Sequence, residues 1–217
     1  MPGCRLPILR FAFCVVLLSL LTLSAFAQEF SADFVSIGKD RSHSGPSKIF
    51  VGKDKMRIET NEGGDVGMGA AIVDFVNQKT IILMPQQKMY MESMPQMKMR
   101  EKNMWFRPDD PNNACPQYIS LVKKHNPNEN VTCRKVGADT VNGRATIKYA
   151  GTSNNGSGFV WIDPKLRFVV KWLDDKGDGT ELDNIREGSQ NASLFVVPPD
   201  FHKFDMQQMM QQRRRPQ

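Results

Sequence analysis

The chain has 217 residues with 29 Lys+Arg, 23 Asp+Glu and 3 His, a formal net charge of +6 at neutral pH. That excess is mild and lacks the clustered basic stretch with interleaved aromatics that a nucleic-acid binder needs, so nucleic acid is not read as a partner. Part of it is also removable, as the N-terminus makes plain.

Residues 1–27 read as a secretory signal peptide. Arg5 and Arg10 supply the basic start, 11–23 the apolar run, and Ala25-Phe26-Ala27 the small-x-small cleavage site, placing the cut between Ala27 and Gln28. The competing reading, a retained signal anchor, needs a longer apolar run. Gln28 stands where a lipid-attachment cysteine would be, and the bulky Phe13 before Cys14 is wrong for a lipoprotein signal. Later residues offer no stretch of membrane-spanning length, so the expectation is a periplasmic or secreted protein that is not an integral membrane protein. Removing Arg5 and Arg10 leaves 27 basic against 23 acidic residues, several of them in the tail 206–217 with Arg213, Arg214 and Arg215. The span 28–205 is of a size for one domain.

Strand patterns follow at once. Residues 30–37 alternate, 38–46 form a polar loop, and 47–51 with 55–60 make a hairpin over Gly52-Lys53-Asp54. The glycine-rich stretch 61–69 leads into a meander of three short runs, 71–76, 80–84 and 88–92, separated by Asn77-Gln78 and Pro85-Gln86-Gln87. Its alternation predicts one apolar and one wet sheet face. Residues 93–103 are Met-rich and read as a short helix or an irregular lid. Residues 114–125 carry Tyr118, Leu121 and Val122 at helical spacing and end in Lys123-Lys124-His125, which suits a helix C-terminus before Pro127. Strands resume at 132–139 and 144–150 around Asn142-Gly143, then 159–162, 168–173, 181–186 and a last short one at 194–197 before Pro198-Pro199. Residues 206–212 suit a final helical turn. About eleven strands with one or two mid-chain helices predict an α+β, mainly β fold: an antiparallel sheet closing towards a barrel, with the helices as a lid.

Cys4 and Cys14 leave with the signal, and Cys115 and Cys133 remain. In an oxidising compartment that pair reads as a disulfide, which stabilises by roughly 3 kcal/mol for a loop of this length. A metal or redox pair is the competing reading, but there is no CxxC and no histidine at a ligand spacing.

Catalytic constellations are poorly supported. His43, His125 and His202 sit in loops or at element ends, and no G-x-S-x-G elbow occurs. Asp174, Asp175, Asp178 and Gly179 hint at a calcium loop, yet Lys176 and Ile185 occupy ligand positions of that pattern, so a hairpin turn explains the aspartates. Nothing argues for a carboxylate pair acting on glycosides. The chain is read as non-enzymatic, without a cofactor. The sequons at Asn130, Asn155 and Asn191 are short enough to arise by chance.

Methionine is the anomaly. Met84, Met89, Met91, Met94, Met97, Met99 and Met104 crowd one segment. Thioethers make an adaptable apolar lining. The alternative is a Cu(I) site at Met89, Met91, Met97 and Met99, since Met-x-Met spacing supplies soft ligands.

Three stretches, KIFVGKDKMRIE at 48–59, IVDFVNQKTIILMP at 72–85 and LFVVPPDF at 194–201, resemble the periplasmic lipoprotein-carrier superfamily typified by LolA, including its uncharacterised lipoprotein-sorting relatives. The resemblance implies an incomplete antiparallel barrel whose concave apolar face is covered by helices and receives acyl chains. It also implies a lipid or lipoprotein acyl chain as ligand and a transient envelope protein as partner. Two departures stand out. The family begins with a lid helix where this chain begins with strand-like sequence, and its early-hairpin arginine aligns near Lys53, with Arg57 the nearest arginine. The ligand-lining residues expected on this reading are Phe50, Met56, Ile82, Met84, Met89, Met91, Met97 and Trp105. A structural envelope protein with a filled interior is the remaining alternative.

Overall fold

A computed structural model describes residues 29–38, 47–60, 69–77, 79–92, 106–154 and 156–204. The expected signal peptide, the Met-rich stretch 93–105 and the C-terminal tail lie outside the described residues, and with them Met97, Met99, Trp105 and the helical turn expected at 206–212.

Among the described residues, twelve strands form one sheet: β1 Phe30–Ile37, β2 Ser47–Val51, β3 Lys55–Thr60, β4 Gly69–Asp74, β5 Lys79–Met84, β6 Met89–Glu92, β7 Thr132–Val141, β8 Arg144–Ser153, β9 Gly156–Asp163, β10 Phe168–Asp174, β11 Gly179–Glu187 and β12 His202–Lys203. Their order is β12-β6-β5-β4-β3-β2-β1-β11-β10-β9-β8-β7. All neighbours are antiparallel except β12 and β6. The expected meander is β4, β5 and β6. It turns earlier than the apolar run implies, because Asp74 Oδ1 accepts the amides of Val76 (3.0 Å) and Asn77 (2.8 Å) and ends β4 there. Lys88 has φ 51 and serves as the turn residue ahead of β6.

Cross-strand partners share a face, so the register sorts the side chains. One row runs Phe30, Val51, Met56, Val73, Thr80, and the next runs Ala32, Ile49, Ile58, Ala71, Ile82, Met91. Phe30, Ile49, Val51 and Met56 are fully buried there, with Leu166, Phe168, Val170 and Leu182 in the same core. The rings of Phe30 and Phe168 meet edge-on at 5.3 Å.

The sheet curls towards this face. In a flat sheet β8 stands about 14 Å from β11, three strand spacings away. Yet Arg144 of β8 binds Glu187 of β11 at 2.7 Å, and Asn142 Nδ2 donates to Leu182 O at 3.3 Å. Val141 and Leu182 pack in the common core. Bulges supply part of the bend, one between β9 and β10 at 169–171 and one between β1 and β11. At the second, Asn184 adopts φ 51 and its amide bonds Asp33 Oδ2 at 2.8 Å. The result is an incomplete antiparallel barrel with one helix packed against it.

The outer face is covered twice by the chain itself. The helix Ala114–His125 lies over Ile147, Tyr149, Ile162 and Val169, with Phe106 against Tyr118 at 5.8 Å. The bonded pair Cys115–Cys133 ties it to β7, Cα–Cα 5.4 Å, and Tyr149 Oη donates to Pro111 O at 2.8 Å. On the other half, Val197 and Phe201 pack over Ala70, Ile72 and Leu83. The strand expected at 194–197 is not formed. Residues Ala192–Phe195 make a 3-10 turn in which Asn191 Oδ1 accepts the amide of Ser193, and Pro198-Pro199 lack the N–H groups a ladder needs. The segment becomes a strap, and pairing resumes only at β12.

Candidate ligand-binding face

At one end of the inner face, Arg144 bonds Asp163 at 2.5 Å and Glu187 at 2.7 Å, and Lys165 binds Glu187 at 2.5 Å. From there the apolar rows run from the sealed core of β1–β3 onto β4, β5 and β6. Burial falls as they go. Met56 is 0% exposed, whereas Ile58, Ala71, Val73, Ile82, Met84, Met89 and Met91 are half-buried.

The expected lining residues divide on this frame. Ile82 pairs with Met91 and Met84 with Met89, so these four share one inward patch. Met56 lies on the same face but is sealed within the core. Phe50 points outward, paired with Arg57 on one side and Ser31 on the other. The thioethers of Met84, Met89 and Met91 share a face, while Met97 and Met99 lie outside the described residues. Among the described residues, no group of three or more His, Cys, Asp or Glu side chains is arranged to hold a metal ion. The cleft lined by Phe34, Phe168, Val170, Lys171 and Leu182 holds only about 10 Å³, room for roughly one water and not for a chain.

The early hairpin does meet an arginine, though from another part of the chain. Arg107 Nη1 donates to Gly52 O (3.0 Å) and Lys53 O (2.9 Å), and its guanidinium lies 5.2 Å from the Phe75 ring centre. Burial lowers its pKa, opposed by the charge of Asp54. Arg57 instead faces outward, bonding Glu59 at 2.7 Å and the strap at Leu194 O, 3.2 Å. Sequence reading named Lys53 and Arg57 but missed Arg107, which is 54 residues beyond Lys53 in sequence.

Sequence reading also missed Lys148, Phe159, Trp161 and Lys171, which line the inner face of β8–β10. The Asn142-Gly143 hairpin fixes the register of β7 on β8 and is legible. The register of β8 on β9, which sets Lys148 opposite Trp161, is not.

Together these features define a half-barrel: a curled antiparallel sheet with a half-buried apolar patch on its inner face. No family model matches the chain, and no curated protein matches its sequence. By structure it is similar to an uncharacterized conserved protein from Thermus thermophilus, with 11% identity and TM-score 0.52 over 88% of this chain and 98% of that one. It is also similar to PNGF-II, with 10% identity and TM-score 0.51 over 85% of this chain and 33% of that one, so it spans about a third of that protein. The matches include a LolA superfamily protein from Nitrosomonas europaea at 8% identity and TM-score 0.33, over 78% of this chain and 90% of that one. For the first two, at such identities, the likeness is one of fold.

Proposed function

We propose that the protein is a periplasmic, non-enzymatic carrier that holds a lipid or lipoprotein acyl chain on the inner face of the half-barrel. One observation carries this reading. The apolar face that is buried at Phe30, Ile49, Val51 and Met56 continues half-buried over β4–β6 through Ile82, Met84, Met89 and Met91, while the outer face of those strands is covered by the strap. A chain laid on the inner patch gains about 0.8 kcal/mol per methylene removed from water, enough for useful affinity without a catalytic group. Methionine suits the task, because an unbranched thioether adapts to chains of different length and kink.

The secretory leader read from residues 1–27 and the LolA-like architecture support the compartment and the ligand class. The test is native mass spectrometry and lipid extraction of protein purified from its own periplasm. Co-purified lipid is expected; a protein of unadorned mass that yields no extractable lipid contradicts the proposal.

A further inference from the structure

We propose that the β8–β10 wall of the concavity binds the anionic head of an amphiphile, a phosphate or carboxylate carried on an aliphatic chain, with Lys148 as its principal cation. This rests on the carrier reading and adds the chemistry of the ligand's other end.

Lys148 lies opposite Trp161 in the register of β8 on β9 and is half-buried on the inner face. Its Nζ stands 4.4 Å from the Phe159 ring centre and 4.7 Å from that of Trp161. Lys171 Nζ stands 5.6 Å from the same Trp161 ring, so one indole has two ammonium groups beside it. Their partners differ. Lys171 binds Glu181 at 3.0 Å. Among the described residues, no carboxylate comes within 4.0 Å of Lys148 Nζ.

The acid nearest in chemistry is Asp139, and its oxygens are already engaged. Oδ2 accepts Trp161 Nε1–H at 2.8 Å and Oδ1 accepts the Thr140 amide at 2.8 Å. Those two donors, then Lys148 and Lys171, hold its carboxyl below the usual carboxylate range. It fixes the indole and shares its charge between Lys148 and Lys171, without a contact to Lys148 Nζ within 4.0 Å.

An ammonium has three N–H donors, and aromatic faces satisfy them only diffusely. A lysine held between two rings is pre-positioned and partly desolvated, so an incoming anion loses less to side-chain ordering and to water than at a free surface lysine. The half-buried Phe159 and Leu173 pack beside it and offer apolar surface for the adjoining chain. Followed through the sheet, the register puts Phe34, Trp161 and Lys148 towards the same end of the strands as Met84 and Met89, away from the Arg144–Glu187 bridge. Head and chain sites thus lie towards the same end of the sheet.

Titration calorimetry below the micellar concentration tests this with three probes: dodecyl phosphate, dodecyl maltoside with the same chain on a neutral head, and inorganic phosphate with no chain. The intact protein is expected to bind dodecyl phosphate about tenfold more tightly than dodecyl maltoside, and inorganic phosphate at least about a hundredfold more weakly than dodecyl phosphate. Lys148→Gln is expected to erase the preference while leaving dodecyl maltoside unchanged, and Lys148→Arg to retain it. Equal affinity for the two amphiphiles, or a preference that survives Lys148→Gln, overturns the head-group site and leaves the carrier reading standing. Inorganic phosphate binding as tightly as dodecyl phosphate assigns the site to a free anion and overturns the amphiphile. Binding of neither amphiphile overturns both readings. The wild-type comparison decides the matter even if a variant fails to fold.

Discussion

Asp163 is 2% exposed and accepts from Arg144 Nε at 2.5 Å and from the amides of Lys165 and Leu166 at 2.8 and 3.0 Å. Asp163→Asn presents an amide to three donors and leaves Arg144 one carboxylate short, so a loss of about 2–4 kcal/mol in urea unfolding is expected. Its neighbour Glu187 has its pKa lowered, by Lys165 first and Arg144 next. A depressed carboxyl contributes stability that is fully present above the ordinary glutamate value and is lost as pH falls through the lowered folded value. Acid titration of stability should therefore show a falling limb below the ordinary glutamate range that is shallower in Glu187→Gln. Phe50 and Met56 mark where sequence reading stops at this scale. The run Ile49-Phe50-Val51 is apolar at every position, so nothing in its pattern separates the inward pair Ile49 and Val51 from the outward Phe50. Only the register with Arg57 does.

Among the elements, the helix and the strap were legible to different degrees. The helix has its own periodicity, its basic C-terminal turn and Pro127, all local signals, and it forms where expected. The strap has none, because its partners Ile72 and Leu83 lie more than a hundred residues earlier and its β-like composition is overridden by Pro198-Pro199. Reducing the Cys115–Cys133 bond, which closes a separation of 18 residues, should cost about 3 kcal/mol in thermal or urea unfolding. It should leave lipid affinity little changed, since the helix covers the outer face. In the strap, Phe201→Ala should cost about 1–2 kcal/mol through lost apolar burial. Glu92→Ala breaks contacts to Lys79 and Lys203, but all three side chains are about a third or more exposed, so a change within about 0.5 kcal/mol is expected.

At the scale of the molecule, one sheet has two differently treated faces. The outer face is sealed over β4–β6 by the strap and over β8–β10 by the helix. The inner face is buried at Phe30, Ile49, Val51 and Met56 and half-buried over β4–β6, which is where the proposed acyl chain would complete the core. The barrel-like sheet was legible from turn residues and short β-branched runs. Its curl was not, because it depends on bulges and on Asn142 and Arg144 reaching β11. The measurement that bears most directly on the carrier reading is the binding of a long-chain fluorescent fatty acid to the delipidated protein and to the double variant Met84→Asp/Met89→Asp. Saturable binding to the parent is expected, weakened at least about tenfold in the variant, which keeps its fold because both positions are only half-buried. A parent protein that does not bind the probe, or a variant that binds it equally well, contradicts the account.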